Sequence, residues 1–172
     1  MSTTVLILMG SDSDFPAMAA TLEVLDQFGV RSACHVASAH RSPHRVEELV
    51  RAAEANGTQL VICAAGMAAH LAGVVAGKTI LPVIGVPMES PHLAGVDSLY
   101  STVMMPPGIP VATVGIGKPG AKNAAYLALA ILALGNPDLR RRLQEWRNGL
   151  APAVAEADAR LQQKLAERPN KP

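Results

Sequence analysis

Five short apolar runs, each of strand length, constrain the fold of this chain most strongly. They lie at residues 4–9, 30–37, 59–64, 80–86 and 109–116. The runs do not alternate between apolar and polar residues as a half-exposed strand would. Runs that are apolar on both sides are typical of parallel strands covered by helices on both faces of a sheet. The sequence therefore predicts a buried parallel sheet.

Helical patterns alternate with these runs along the chain. They are predicted at residues 16–27, 43–55, 68–77, within 88–102 and at 120–134. Regular alternation of strand and helix predicts a doubly wound α/β sandwich. Sheets of this kind bind ligands at the carboxyl ends of their strands. The polar loops that follow the strands are therefore the candidate binding loops.

The chain changes character after residue 137. Apolar residues recur there at helical spacing, at Leu139, Leu143, Trp146 and Leu150. Pro152 is expected to interrupt this helix before the apolar stripe resumes. We divide the chain into a main domain at 1–137, a helical extension of that domain at 138–168, and a disordered tail at 169–172.

The segment at 120–134 has almost no polar face, and its one charged residue is Lys122, near its start. A helix that is apolar all round is buried all round, and a chain this small offers little surface to bury it. We therefore expect a homo-oligomer, in which the 138–168 extension also takes part in packing.

Composition excludes several classes of protein. Hydrophobic residues make up 49% of the 172 residues and charged residues 17%, which excludes a disordered chain. A net charge of +1 gives no general attraction to nucleic acid or to an anionic membrane. We expect no membrane span and no signal peptide. Cys34 and Cys63 lie in apolar runs without a paired loop pattern, which indicates free thiols in a reducing cytoplasm.

Two polar loops carry residues suited to a phosphorylated sugar. The first, 10–14, has serine and aspartate at a helix start, where free N–H groups suit a phosphate and a carboxylate suits ribose hydroxyls. The same residues also make an ordinary capped helix. In the second, Arg41 can pair with a phosphate, Ser38 and Ser42 can donate hydrogen bonds, and His40 can exchange protons near neutral pH.

A third loop, residues 64–70, is built from small residues that let backbone approach a ligand closely. Small residues equally permit tight packing of helix on sheet, and by itself the apolar setting of His70 indicates a structural histidine. The sequence has no CxxC, no HxxxH and no cluster of histidine with carboxylates that would indicate a metal site. It also lacks a P-loop. We expect neither a metal nor a cofactor.

Together these motifs resemble one family. GSDSD at 10–14, SAHRSP at 38–43, AAHLAG at 68–73 and the run 95–125 are very similar to class I N5-carboxyaminoimidazole ribonucleotide mutases of purine synthesis. The resemblance covers about residues 4–148. It implies a flavodoxin-like three-layer α/β/α subunit, assembled as a homo-octamer, that acts on a small ribonucleotide. Five positions depart from the family's pattern: Ala64 and Met67 replace glycines, Ala72 replaces a proline, Phe15 stands where tryptophan is common, and Met104 where glutamine is common.

The resemblance also implies roles for individual residues. His40 is the expected general acid and base, Asp14 binds the ribose hydroxyls, and Arg41 binds the phosphate. The loop 66–70 lines the pocket for the base and its carboxylate. The expected substrate-binding residues are Ser11, Ser13, Asp14, Ser38, Ala39, Arg41, Gly66, Ala68 and His70.

The implied reaction moves a carboxylate from an exocyclic nitrogen to a ring carbon of aminoimidazole ribonucleotide. Direct carboxylation of aminoimidazole ribonucleotide by CO₂ is the nearest alternative. A phospho-acceptor module of the receiver type is a distant alternative, because it needs an aspartate after the third strand, where Ala64, Ala65 and Gly66 stand. A flavin carrier is another distant alternative, because aromatic residues amount to only 3% of the chain.

Overall fold

The sheet is parallel throughout and has five strands in the order β2-β1-β3-β4-β5. A computed structural model describes residues 4–168. The strands are β1 (Val5–Met9), β2 (Ser32–Val36), β3 (Leu60–Ala65), β4 (Val83–Pro87) and β5 (Ala112–Thr113). The helices are α1 (Phe15–Gln27), α2 (Pro43–Ala55), α3 (Leu71–Ala76), α4 (Val96–Val103), α5 (Gly117–Leu132), α6 (Pro137–Asn148) and α7 (Leu150–Ala166). The predicted flavodoxin-like α/β fold with a helical extension is confirmed.

The chain forms two compact units, one ending at Leu132 and the other beginning at Ala133. The sheet and α1 to α5 make up the first unit, and α6 and α7 make up the second. The domain boundaries expected from the sequence remain a prediction, and the expected tail at 169–172 lies outside the described residues.

The sheet is buried because its strands are apolar on both sides. All five residues of β1 and of β4 are buried. One face carries a cluster in which Leu6 and Leu8 of β1 pack with residues of α2 and α3, such as Val46 and Leu71. Elsewhere in the unit, α1 and α5 pack together, and the buried Thr21 hydroxyl of α1 donates to the Ala121 carbonyl of α5 at 2.8 Å.

The strand order places the binding loops. From β1 the chain crosses to β2 on one side and then to β3 on the other side of β1. Met9 lies in register with Val36 of β2 and with Ala64 of β3. The loops after these strands therefore diverge from the same point of the sheet edge, which is the crevice where doubly wound folds bind ligands.

Several element boundaries differ from the sequence prediction. The fifth strand has only two residues instead of 109–116, and its start is delayed by Pro110, which has no N–H for the ladder. The fourth strand begins at Val83, after the fully exposed Ile80. The third helix begins at Leu71 rather than near residue 68, because the His70 N–H donates to the Ala68 carbonyl in a tight turn just before it.

The two C-terminal helices separate at Gly149, so the predicted break at Pro152 is wrong. Pro152 lies in the first turn of α7, where its missing N–H would have no intrahelical partner. The apolar residues of α7 are exposed within the described chain, Val154 by 69%. On α5, Tyr126, Leu127 and Ile131 are half-buried rather than fully covered. Burial of these faces by other subunits remains a prediction.

Candidate active site

Four loops at the carboxyl ends of the strands enclose a cavity of about 550 Å³. The loops follow β1, β2, β3 and β4. All ten residues that the sequence singled out line this cavity: Ser11, Ser13, Asp14, Ser38, Ala39, His40, Arg41, Gly66, Ala68 and His70. The fold therefore brings together these ten residues from segments as far apart as Ser11 and His70, whereas Ser42 lies outside this cavity.

The loop after β1 is held by its own serines. The Ser11 hydroxyl accepts hydrogen bonds from the Ser13 N–H at 3.3 Å and the Ser13 hydroxyl at 2.8 Å. The Ser11 N–H donates to Asp14 Oδ2 at 3.3 Å, which completes a capping box. This bond leaves the Asp14 carboxylate with further acceptor capacity for ligand hydroxyls.

Partial burial raises the pKa of Asp14 above its ordinary value of 3.8. The bond from the Ser11 N–H lowers the pKa and the nearby Asp12 charge raises it, but desolvation is the largest cause. A carboxylate held in a partly dry site without a cation gains when ligand hydroxyls replace the lost water. Asp14 is therefore suited to a sugar diol.

Arg41 joins the second loop to the first. Its Nη2 donates to the Gly10 carbonyl at 3.0 Å, and its Nε lies 3.5 Å from the Ser38 hydroxyl. The Ser38 hydroxyl also accepts from the Arg41 backbone N–H at 3.2 Å, and the Ser42 hydroxyl accepts from the Ser38 N–H at 3.0 Å. These bonds fix an exposed guanidinium at the mouth of the cavity, where it can meet an anion.

Two histidines from different loops form a hydrogen bond inside the site. His40 Nε2 lies 2.8 Å from His70 Nδ1, and the rings meet edge to face with centroids 4.9 Å apart. One of the two nitrogens must donate and the other must accept. The apolar setting suggested a structural role for His70, but its ring instead contacts His40 inside the cavity. The two exposed rings therefore share one N–H hydrogen in this bond.

The loop after β3 supplies the small wall of the cavity. Gly66 lies close to the loop after β4, where an added Cβ would be 3.6 Å from the Met88 Cβ. Met67 follows in a left-handed conformation, and its carbonyl lies 3.5 Å from the Ser101 hydroxyl of α4. The turn ends at His70, whose N–H donates to the Ala68 carbonyl at 2.8 Å.

Sequence reasoning counted the polar loop after β4 among the candidate binding loops but assigned none of its residues to the site. Glu89, Ser90 and Pro91 also line the cavity. Ser90 is buried and donates to Asp97 Oδ1 of α4 at 2.9 Å. The polar residues after this strand were visible in the sequence, but nothing in their pattern indicated a role. His35, His44 and His92 do not line the cavity.

A larger cavity of about 740 Å³ lies near the amino ends of β4 and β5. Its wall is mostly aliphatic, and its polar side chains already have partners. Lys78 Nζ pairs with Glu47 at 2.9 Å, and Glu54 accepts a hydrogen bond from Thr79. The smaller cavity is therefore the better candidate, because its polar groups converge and can still bind a ligand.

Within residues 4–168, no group of three or more His, Cys, Asp or Glu side chains could hold a metal ion. The helices in that same range are all too short or too polar to cross a membrane. The described chain carries two free cysteines, Cys34 and the buried Cys63.

Fold and cavity together define a flavodoxin-like α/β protein with a candidate ligand site at the strand carboxyl ends. The family model described as AIR carboxylase matches residues 4–152. The chain belongs to this family, and the resemblance inferred from its motifs is confirmed.

The names of close relatives show that this protein is an enzyme. A Synechocystis protein named N5-carboxyaminoimidazole ribonucleotide mutase is 50% identical over 161 residues, covering 94% of this chain and 90% of that protein. A protein of the same name from Escherichia coli K12 is 49% identical over 152 residues, covering 88% and 90%. The crystal structure of Treponema denticola PurE matches with a TM-score of 0.83 and 32% identity, covering 92% of this chain and 98% of that one.

Proposed function

We propose that the protein is a mutase that converts N5-carboxyaminoimidazole ribonucleotide to 4-carboxy-5-aminoimidazole ribonucleotide in purine biosynthesis. The observation that carries the proposal is the single cavity in which Asp14, His40, Arg41 and His70 converge. The names of relatives that are about half identical to this chain support the same reaction.

The ribose phosphate is the part of the substrate that the site can hold most firmly. Arg41 has five N–H donors and directs two of its nitrogens at Gly10 and Ser38, so other donors can meet a phosphate. Ser13 and Ser38 add hydroxyls nearby, and Asp14 accepts from the ribose. Fixing the substrate at this remote end orients the base, which can supply much of the rate.

The aminoimidazole ring of the bound substrate then lies near the two histidines. In the first step the carbamate C–N bond breaks, its electron pair returns to nitrogen, and His40 supplies a proton to that nitrogen while CO₂ is released. The aminoimidazole is an enamine, so its ring carbon attacks CO₂ and forms the new C–C bond. The proton on that carbon returns to His40, and the charges balance without a cofactor.

The hydrogen bond between His40 and His70 suits this cycle. It holds the His40 ring in place and lets the pair give up one proton and take it back. The backbone and small side chains of Gly66 and Ala68 leave room for CO₂ beside the rings.

We also propose that the enzyme works in the cytoplasm as a homo-octamer. The free thiols of Cys34 and Cys63 fit a reducing compartment. The half-buried apolar side chains of α5 and the exposed ones of α7 fit burial between subunits.

The proposal is tested by turnover of the carbamate nucleotide in labelled bicarbonate. We expect unlabelled product, and we expect His40→Asn to lower turnover by about two to four orders of magnitude while product still binds. His44→Asn is the matched control, because His44 is exposed at the start of α2 and outside the cavity. Near-normal turnover by His40→Asn would remove His40 from the mechanism. Fully labelled product would favour direct carboxylation instead.

A further inference from the structure

Met67 has an unfavourable backbone conformation at the wall of the cavity. Its φ is 56°, and among the described non-glycine residues only Ala94 shares a positive φ. A side chain in the left-handed region costs roughly 1–2 kcal/mol relative to the right-handed one, whereas glycine adopts it freely. The resemblance noted above has glycine at this position. This chain keeps a strained residue where an unstrained one is available.

Burial in the core does not explain the methionine. Its side chain is 65% exposed in the described chain, so it contributes little apolar burial to the stability of the subunit. The contact between its carbonyl and the Ser101 hydroxyl involves only the backbone of Met67, so a glycine at this position would keep it. Strain without a gain in stability is found mainly at functional sites. Met67 also lines the candidate cavity, where its side chain can contact a bound ligand.

The proposed reaction gives an apolar side chain a task at this place. Between the two steps the site must hold CO₂, a small uncharged molecule that no hydrogen bond or ion pair anchors well. Met67 is three residues before His70 in the same loop and lines the same cavity as His40. A flexible thioether side chain with free space around it can settle over a bound ligand and fill the remaining gap.

We propose that Met67 is a specificity-determining residue that retains the released CO₂, so that the carboxylate is transferred within the site rather than exchanged with solution. This proposal rests on the proposed mutase function. The backbone strain is the cost of having a side chain at a position where the turn favours glycine.

Two substitutions separate the side chain from the backbone. Met67→Ala removes the thioether but keeps a Cβ at positive φ, and Met67→Gly removes both. Met104→Ala is the matched control, because Met104 is also an exposed methionine, 77% exposed, but lies outside the cavity. Chemical denaturation should rank Met67→Gly as more stable than Met67→Ala, which shows that the glycine variant is folded.

The deciding measurement uses substrate labelled with ¹³C at the carbamate, in unlabelled bicarbonate with carbonic anhydrase added to mix free CO₂. Mass spectrometry of the product gives the fraction of carboxylate that comes from solution, after subtraction of the spontaneous reaction. We expect this fraction to rise about fivefold in both Met67 variants and to stay at the wild-type value in Met104→Ala. Wild-type retention in both Met67 variants would overturn the role of Met67 and leave the mutase function intact. Loss of label by the wild type itself would overturn both proposals.

Discussion

Replacing Arg41 with alanine tests the phosphate site directly. The guanidinium is exposed and already ordered by its bonds to the Gly10 carbonyl and the Ser38 hydroxyl. Charge-assisted hydrogen bonds contribute about 1.5–3 kcal/mol each, and solvent exposure favours the low end. Two such bonds to a phosphate at the low end therefore contribute about 3 kcal/mol, so we expect Kd for the ribonucleotide to rise roughly 150-fold.

A ligand without the phosphate distinguishes loss of the Arg41–phosphate contact from a general disturbance of the loop. Isothermal titration calorimetry at constant ionic strength should show that Arg41→Ala weakens binding of aminoimidazole ribonucleotide but not of its nucleoside. Arg45→Ala is the control, because Arg45 is an exposed arginine of α2 that pairs with Glu48 at 3.5 Å and lies outside the cavity. Equal losses for both ligands would mean that Arg41 only supports the loop, and no loss would refute the phosphate assignment.

Two further predictions test the energetics of the fold and the site. Burial makes the native state hold the Asp14 proton more tightly than the unfolded chain does, so stability falls as pH rises from 3.8 through the raised pKa and stays lower above it. Urea midpoints of Asp14→Asn should therefore fall less over this pH range than those of the wild type, with ribonucleotide binding at least tenfold weaker; parallel profiles would contradict this. In the sheet, Gly85→Ala places a Cβ against the Thr102 Cγ2 methyl and 2.9 Å from Val111 Cγ1, so we expect about 2–3 kcal/mol of destabilisation in urea. Thr102→Ser removes that methyl but keeps the hydroxyl that donates to the Ser98 carbonyl at 2.7 Å, and should recover about half of the loss; an additive double mutant would refute the clash.

Much of the fold was predictable because its signals are local. The apolar runs gave β1 and β3 to within a residue or two, and α1 and α2 follow directly from their periodicity. Boundaries failed where one backbone position decided them. Pro110 delays the start of β5, and the tight turn between Ala68 and His70 delays α3 until residue 71. Gly149, and not Pro152, separates the last two helices, because proline is tolerated in a first helical turn.

The candidate site was predictable for a different reason. Loops after parallel strands lie at one edge of the sheet whatever the strand order, so the polar residues after β1, β2 and β3 could be assigned to one region. The contact between His40 and His70 could not be predicted in this way, because it joins residues 30 positions apart through side chains from different loops. Glu89 and Ser90 could be placed at the same edge, in the polar loop after β4, but their pattern assigned them no role.

The sequence alone determined which segments are strands and helices, which loops carry polar groups, and which family the chain resembles. These properties depend on residue type and on spacing along the chain. The tertiary structure decided the strand order, the pairing of the two histidines, the partial burial of Asp14 and the strained backbone of Met67. Each of these depends on how distant segments pack against one another, and many pairings are compatible with the same local pattern until packing selects one.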